Sequence, residues 1–250
     1  VAYVCGRTLR IAELDGSSWE LAGDEHPDIS WGSADFIAAE EMGRYRGYWS
    51  SPDGAAIAAT RADIGPVQRW YISDPANPDQ QANEVAYPAA GTPNADVTLH
   101  VLALDGGSTE VVWDRDTYPY LADVQWADSQ RLLLTVQSRD QRSLMVLAAD
   151  PRHGGTEPIF ADGDTAWVEL VPGTPAGLDD GQLVMTADRD GARRLMVDGN
   201  AVTPIDLQVR AVVTAQDDEV YFLANPIADA TVQHVWRWRT DGTLAALTDE

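Results

Sequence analysis

The 250 residues carry 40 acidic side chains against 17 basic ones, every one of the latter arginine, for a formal net charge of -23. So negative a chain repels phosphate backbones and anionic membrane surfaces, which excludes nucleic acid as an expected partner and favours cationic groups such as peptide amines. Nine Trp, eight Tyr, 20 Gly and 14 Pro, with few long amphipathic windows, indicate an all-β chain of short strands joined by tight turns.

In chain order, β-rich runs at 1–4 and 9–14 flank Cys5-Gly6-Arg7, and Asp15-Gly16 turns the chain into a third run at 19–21. Cys5 is the single cysteine, so no intrachain disulfide can form, and a buried structural thiol is expected. The start, Val-Ala-Tyr-Val, has no signal-like character and reads as mid-domain. No run reaches the roughly 20 apolar residues of a membrane-spanning helix, and cellular location is left undetermined.

Residues 33–44 combine Ala, Met, Phe and Glu without a breaker until Gly43, which predicts a short helix with Glu40 and Glu41 near its end. Neighbouring helical residues point about 100° apart, so two adjacent carboxylates converge on one guest only at a terminal turn. With no Asp, His or Cys cluster beside them, that guest is an amine or guanidinium rather than a metal. The same pair also reads as a solvated helix face, and spacing alone leaves both readings open. Arg44, Arg46 and Arg61 are near enough in sequence to orient or partly neutralise the pair, or equally to form surface ion pairs, and they are placed outside the site.

Next come a strand from Tyr48, a turn at Pro52-Asp53-Gly54 and an apolar strand ending at Arg61. Residues 64–92, rich in Pro, Asn, Asp and Gln, predict an extended loop or excursion. Hairpin turns then recur at Asp105-Gly106, Asp150-Pro151, Asp198-Gly199 and Asp241-Gly242, at intervals of 45, 48 and 43 residues. Inner turns fall at 51–54, 127–130, 179–181 and 216–219. A period in the forties with a hairpin per unit predicts a β-propeller segment of about four blades spanning 1–250, with one short helical insertion. Strand edges at the two ends would be open.

The stretch Ala34-Asp35-Phe36-Ile37-Ala38-Ala39-Glu40-Glu41-Met42, then Gly47-Tyr48-Trp49 and Ser51-Pro52-Asp53-Gly54, resembles the N-terminal propeller domain of dipeptidyl peptidase IV and its relatives in the prolyl oligopeptidase family. The resemblance continues through residues 87–94, 120–126 and 137–142 and covers nearly the whole chain. Ser50 departs from it, standing where relatives usually have a second Trp, which bears on packing more than on binding. The resemblance implies that Glu40 and Glu41 bind the free N-terminal amine of a peptide substrate. It also implies a C-terminal α/β-hydrolase domain as partner and leaves room for a homodimer of the parent protein.

The remaining candidates are weaker. The 250 residues contain no G-x-S-x-G elbow; Gly32-Ser33 and Gly107-Ser108 read as loop residues, so no catalytic residue is assigned and the segment alone is expected to be inactive. His26, His100, His153 and His234 are isolated, and Asp162-Gly-Asp164 and Asp188-Arg-Asp-Gly191 lack the distal ligands of a calcium loop, so no metal is expected. No glycine pattern supports a nucleotide, and no cofactor is expected. Trp236 and Trp238 share one strand face and read as core. The expected function is recognition of a peptide N-terminus for a serine dipeptidyl peptidase. The alternatives are the propeller of a related oligopeptidase or aminoacyl peptidase, and a non-enzymatic protein-binding propeller.

Overall fold

The computed structural model describes residues 1–249. Its first sheet is an antiparallel meander of β1 (Ala2–Cys5), β2 (Thr8–Ala12) and β3 (Ser18–Ala22). Cys5 is exposed, against the expectation of a buried thiol, because it sits at the lip of the tight Cys5–Thr8 turn. The second sheet is formed by β4 (Ile29–Trp31), β5 (Tyr48–Ser50), β6 (Ala56–Asp63), β9 (Asp96–Ala103) and β10 (Ser108–Val111), in the order β10-β9-β6-β4 with β5 also on β6. Two segments leave this sheet: α1 (Phe36–Glu41), between β4 and β5, and a ribbon of β7 (Arg69–Ile72) and β8 (Asn83–Ala86), between β6 and β9.

Three four-stranded antiparallel sheets follow, each ordered as in sequence. They are β11 (Tyr120–Asp128), β12 (Arg131–Gln137), β13 (Ser143–Ala149) and β14 (Thr156–Gly163); β15 (Ala176–Gly177), β16 (Leu183–Arg189), β17 (Ala192–Val197) and β18 (Asn200–Ala201); and β19 (Leu207–Gln216), β20 (Glu219–Pro226), β21 (His234–Arg239) and β22 (Leu244–Ala246). Sequential pairing of this kind needs only hairpins, which is why turn residues alone announce it.

The chain divides into two compact units, Val1–Arg139 with Leu147–Glu157, and Asp140–Val146 with Pro158–Glu250. A core of the first unit gathers Leu9, Ile11, Ile57, Ala59 and Leu102, with Trp31 and Tyr48 packed against it. In the second, Phe222 and Val220 lie fully buried among Leu195, Val209 and Trp238. Trp238 is 6% exposed and Trp236 packs against the same cluster, as alternation along β21 predicts. Burying aromatic side chains of this size contributes about 25 cal/mol per Å² of apolar surface, an upper figure against an extended unfolded chain.

The excursion at 64–92 is more ordered than its composition suggests. It holds the ribbon, registered from Arg69↔Ala86 to Ile72↔Asn83. The segment leaves the sheet as the sequence indicates, and outside the two ribbon strands it is turns and irregular chain.

Candidate functional site

The base of the α1 excursion is a three-way backbone junction. Strand β6 receives β4 opposite Arg61–Asp63 and β5 opposite Ile57–Ala59, so β4 and β5 form one edge interrupted at Thr60. There Gly32 N donates to Thr60 O (2.9 Å), Thr60 N to Gly47 O (2.7 Å) and Gly47 N to Gly32 O (2.9 Å). The Thr60 hydroxyl, 3.0 Å from Ser33 O and 3.2 Å from Gly47 O, fills the remaining space. A Cβ on Gly47 would stand 2.1 Å from that hydroxyl oxygen and 2.6 Å from the Ser33 carbonyl, so only glycine fits there. The excursion therefore leaves and re-enters the sheet at a fixed point.

Within it, α1 is shorter than the predicted 33–44. Asp35 starts it as N-cap, with extended φ -73 and ψ 170 and Oδ2 accepting from Ala38 N at 3.3 Å. Gly43, at φ +66, ends it in the left-handed conformation that glycine tolerates best, and Arg44 N returns to donate to Ala38 O at 2.9 Å. Ala38 is the residue α1 buries, at 2% exposure.

Glu40 and Glu41 stand in the last turn, and both are exposed. Among the described residues no hydrogen bond or ion pair engages either carboxylate, although three arginines are close in sequence. Arg44 is committed to Asp35, Nη2 to Oδ1 at 3.3 Å, and Arg61 to Asp24 at 3.6 Å. The side chain of Arg46 is exposed and its charge acts on Asp123. The carboxylates also sit at the wrong end of their helix: α1 has no acidic residue in its first turn and no basic one in its last, so the unsatisfied carbonyls face two negative charges.

Three residues after the pair the chain buries a charge. Arg44, for which the sequence leaves open a role beside the pair and a surface ion pair, is 7% exposed. Its Nε and Nη2 donate to Leu121 O at 3.2 and 3.1 Å, its Nη1 donates to Arg46 O at 3.0 Å, and its guanidinium lies 5.8 Å from the centre of the Trp49 ring. Burial lowers its pKa, opposed by the negative charges of Asp35 and Asp123; a guanidinium remains charged throughout. Burial likewise raises the pKa of Asp123, partly offset by a hydrogen bond from Gln125 Nε2 at 2.9 Å and by Arg44 and Arg46. The Leu121 carbonyl lies beside a bulge, the pairing of β11 with β12 stepping from Leu121↔Val136 to Asp123↔Thr135.

An aromatic row flanks the helix. Phe36, one turn before Glu40 on the same side, meets Tyr87 edge-on at 5.3 Å, and Tyr87 meets Trp70 of the ribbon at 5.4 Å. Ser50, the departure noted from sequence, is exposed on β5 and leaves the buried Trp49 in place, with Trp126 Nε1 donating to Trp49 O at 2.9 Å.

The other sequence candidates do not converge. Ser108 Oγ lies 3.5 Å from His100 Nδ1, a long contact, and the other ring nitrogen meets the Thr98 hydroxyl instead of a carboxylate. Asp188 is held by Arg193 at 3.1 Å and Asp162 by Arg189 at 2.7 Å, with Asp190 and Gly191 forming the hairpin turn between β16 and β17. His26, His153 and His234 each serve local turn or side-chain contacts.

The family model described as the dipeptidyl peptidase IV (DPP IV) N-terminal region matches residues 1–250. Among curated relatives, the probable dipeptidyl-aminopeptidase B of Aspergillus oryzae is 24% identical across 100% of this chain and 32% of its own length. The venom dipeptidyl peptidase 4 of Apis mellifera is 27% identical over 58% of this chain and 21% of that protein. The chain thus spans about a third of the length of the first of these relatives. The crystal structure of Porphyromonas gingivalis dipeptidyl peptidase 4 superposes with a TM-score of 0.82 at 18% identity, over 100% of this chain and 37% of that one. At that identity the likeness concerns the fold, the all-β propeller type that the hairpin period predicts.

Proposed function

Given that this chain belongs to the dipeptidyl peptidase IV N-terminal region family, we propose that it is the substrate-gating, N-terminus-binding region of a serine dipeptidyl peptidase, with Glu40 and Glu41 holding the ammonium group of the substrate's first residue. The observation that supports this reading is a carboxylate pair left without a cation while the arginines beside it are committed elsewhere. A peptide ammonium supplies the missing charge and three donors, and it relieves the repulsion between the two side chains and the helix's own terminal carbonyls.

Anchoring one end of the peptide fixes how far the chain reaches. The second peptide bond is then presented to a nucleophile carried by a hydrolase domain of the parent protein, and selectivity for dipeptide release follows from distance. A peptide without a free amine brings no charge to the pair.

The test is made on the full-length protein. Charge-assisted hydrogen bonds contribute roughly 1.5 to 3 kcal/mol each. Glu40→Ala or Glu41→Ala should therefore lower kcat/KM for free-amine dipeptide substrates by about tenfold to a hundredfold. Folded variants that cleave those substrates as well as the native protein would overturn the reading.

A further inference from the structure

The geometry points to Arg44 as the positioning residue of the carboxylate pair: its buried guanidinium fastens both ends of α1 to β11, and so sets where Glu40 and Glu41 stand. The inference rests on the ammonium-binding reading above, and adds to it a residue that touches no substrate.

Three attachments meet in this one side chain. The Asp35 carboxylate uses Oδ2 to cap the start of α1 and Oδ1 to accept from Arg44 Nη2, so the helix N-terminus is tied to the arginine through a single group. The Arg44 backbone N–H closes the other end by donating to Ala38 O. The fork of Nε and Nη2 then grips Leu121 O, 77 positions along the chain. A six-residue helix burying essentially one alanine has little packing of its own to fix its rotation. The clamp supplies that constraint, and Trp49 beneath the guanidinium limits its sideways movement.

A planar fork with several donors is needed for this. Lysine keeps the charge but offers a single ammonium on a flexible stem, so it can answer Asp35 or Leu121 O while leaving the others loose. Loosening displaces the carboxylates without removing them. A displaced pair holds the ammonium less well before and during the reaction alike, so the loss appears in KM more than in kcat.

The experiment uses the full-length protein with Arg44→Lys, Asp35→Asn, Glu40→Ala and Glu41→Ala, and with the Arg44→Lys/Glu41→Ala double variant. Asp35→Asn retains an N-cap side chain while weakening the pull on the guanidinium. Two reactions are followed: cleavage of a free-amine dipeptide substrate, and labelling of the parent's nucleophile by a small organophosphate that has no amine. Arg44→Lys and Asp35→Asn should raise KM for the free-amine substrate about fivefold to thirtyfold, with kcat changed less than threefold and labelling unchanged. The double variant should be little worse than Glu41→Ala, because a misplaced pair and a broken pair lose the same contact. Normal KM in both clamp variants, with Glu41→Ala impaired, overturns the positioning role and leaves ammonium binding standing. Normal kinetics in Glu41→Ala and Glu40→Ala overturn the ammonium reading and this inference with it. Equal slowing of cleavage and labelling overturns positioning in favour of a general structural role. If Arg44→Lys fails to fold, Asp35→Asn alone decides.

Discussion

Two excursions leave the same sheet, and they are secured in opposite ways. The α1 segment is held by a junction of backbone hydrogen bonds at Gly32, Gly47 and Thr60, and by an arginine whose side chain is 5% exposed against an aspartate at 11%. The ribbon hangs on Arg69, which reaches Asp28 at 2.6 Å and Glu84 at 3.5 Å from a side chain 24% exposed, and on Trp70, Tyr71 and Ile72, each about half exposed or more. Ion pairs of similar length therefore do different work. In the first, the desolvated charge commits the backbone to one arrangement; in the second, water can replace either partner at little cost. The excursion carrying the carboxylates is the one whose position is over-determined.

The largest expected effect follows from that contrast. Arg44→Ala leaves Asp35 buried without its partner, and removing one member of a buried pair costs about 3–5 kcal/mol. Arg69→Ala should cost about 0–1 kcal/mol. Denaturation midpoints at unchanged slope, measured on the full-length protein, would separate the two, and equal losses would erase the distinction. Gly47→Ala comes next, at about 1–3 kcal/mol, because the new methyl must displace the backbone of Ser33 as well as the Thr60 hydroxyl. Its signature would be faster amide exchange at the neck of the α1 excursion with the ribbon unaffected. Tyr87→Ala removes both edge-on contacts of the aromatic row, and a loss of about 0.5–1.5 kcal/mol per pair is expected. If α1 exchange also rises, the ribbon supports the helix and the two excursions are less independent than their anchors suggest.

The smallest effect is one of sign in acid. Asp74, in the excursion that carries the ribbon, has its pKa lowered by hydrogen bonds from the Asn77 side chain and from Ala76 N, so its stabilising contribution is present above the ordinary carboxylate value and is lost as pH falls through its folded value. Asp123, under α1, has its pKa raised by burial, so its charge is a penalty above its folded value, relieved as pH falls toward the ordinary one. Stability-difference curves for Asp74→Asn and Asp123→Asn should therefore slope in opposite directions. Parallel curves would show that Asp123 is not desolvated.

Much of the sheet architecture was legible because a hairpin announces itself locally. Asp105-Gly106, Asp198-Gly199 and Asp241-Gly242 carry turn chemistry within two residues, and each sits where strands meet. The Glu-Glu helix was legible for the same reason, from a breaker-free run and Gly43. Its true start was not, because Asp35 as N-cap competes with Ser33 on equal terms in sequence. The choice between the two roles open to Arg44 was not legible for a different reason. Its burial depends on Leu121 and Trp49, and no local pattern ties a residue to a carbonyl in another sheet. Cys5 shows the same limit in reverse, its exposure set by a turn that apolar preference does not register. The ribbon was missed because its strands are short and flanked by Pro and Asp, with Arg69 to Ile72 too mixed to show alternation.

The spare residue in β11 makes chain length, rather than side-chain chemistry, a control on the glutamates. Ala122 is the extra position between Leu121↔Val136 and Asp123↔Thr135, immediately after the carbonyl that Arg44 grips. Because strand faces alternate residue by residue, deleting it would turn over everything on one side of the gap and re-aim that carbonyl. A single codon lost about eighty residues downstream could thus shift the turn that carries Glu40 and Glu41 with every charged group still present.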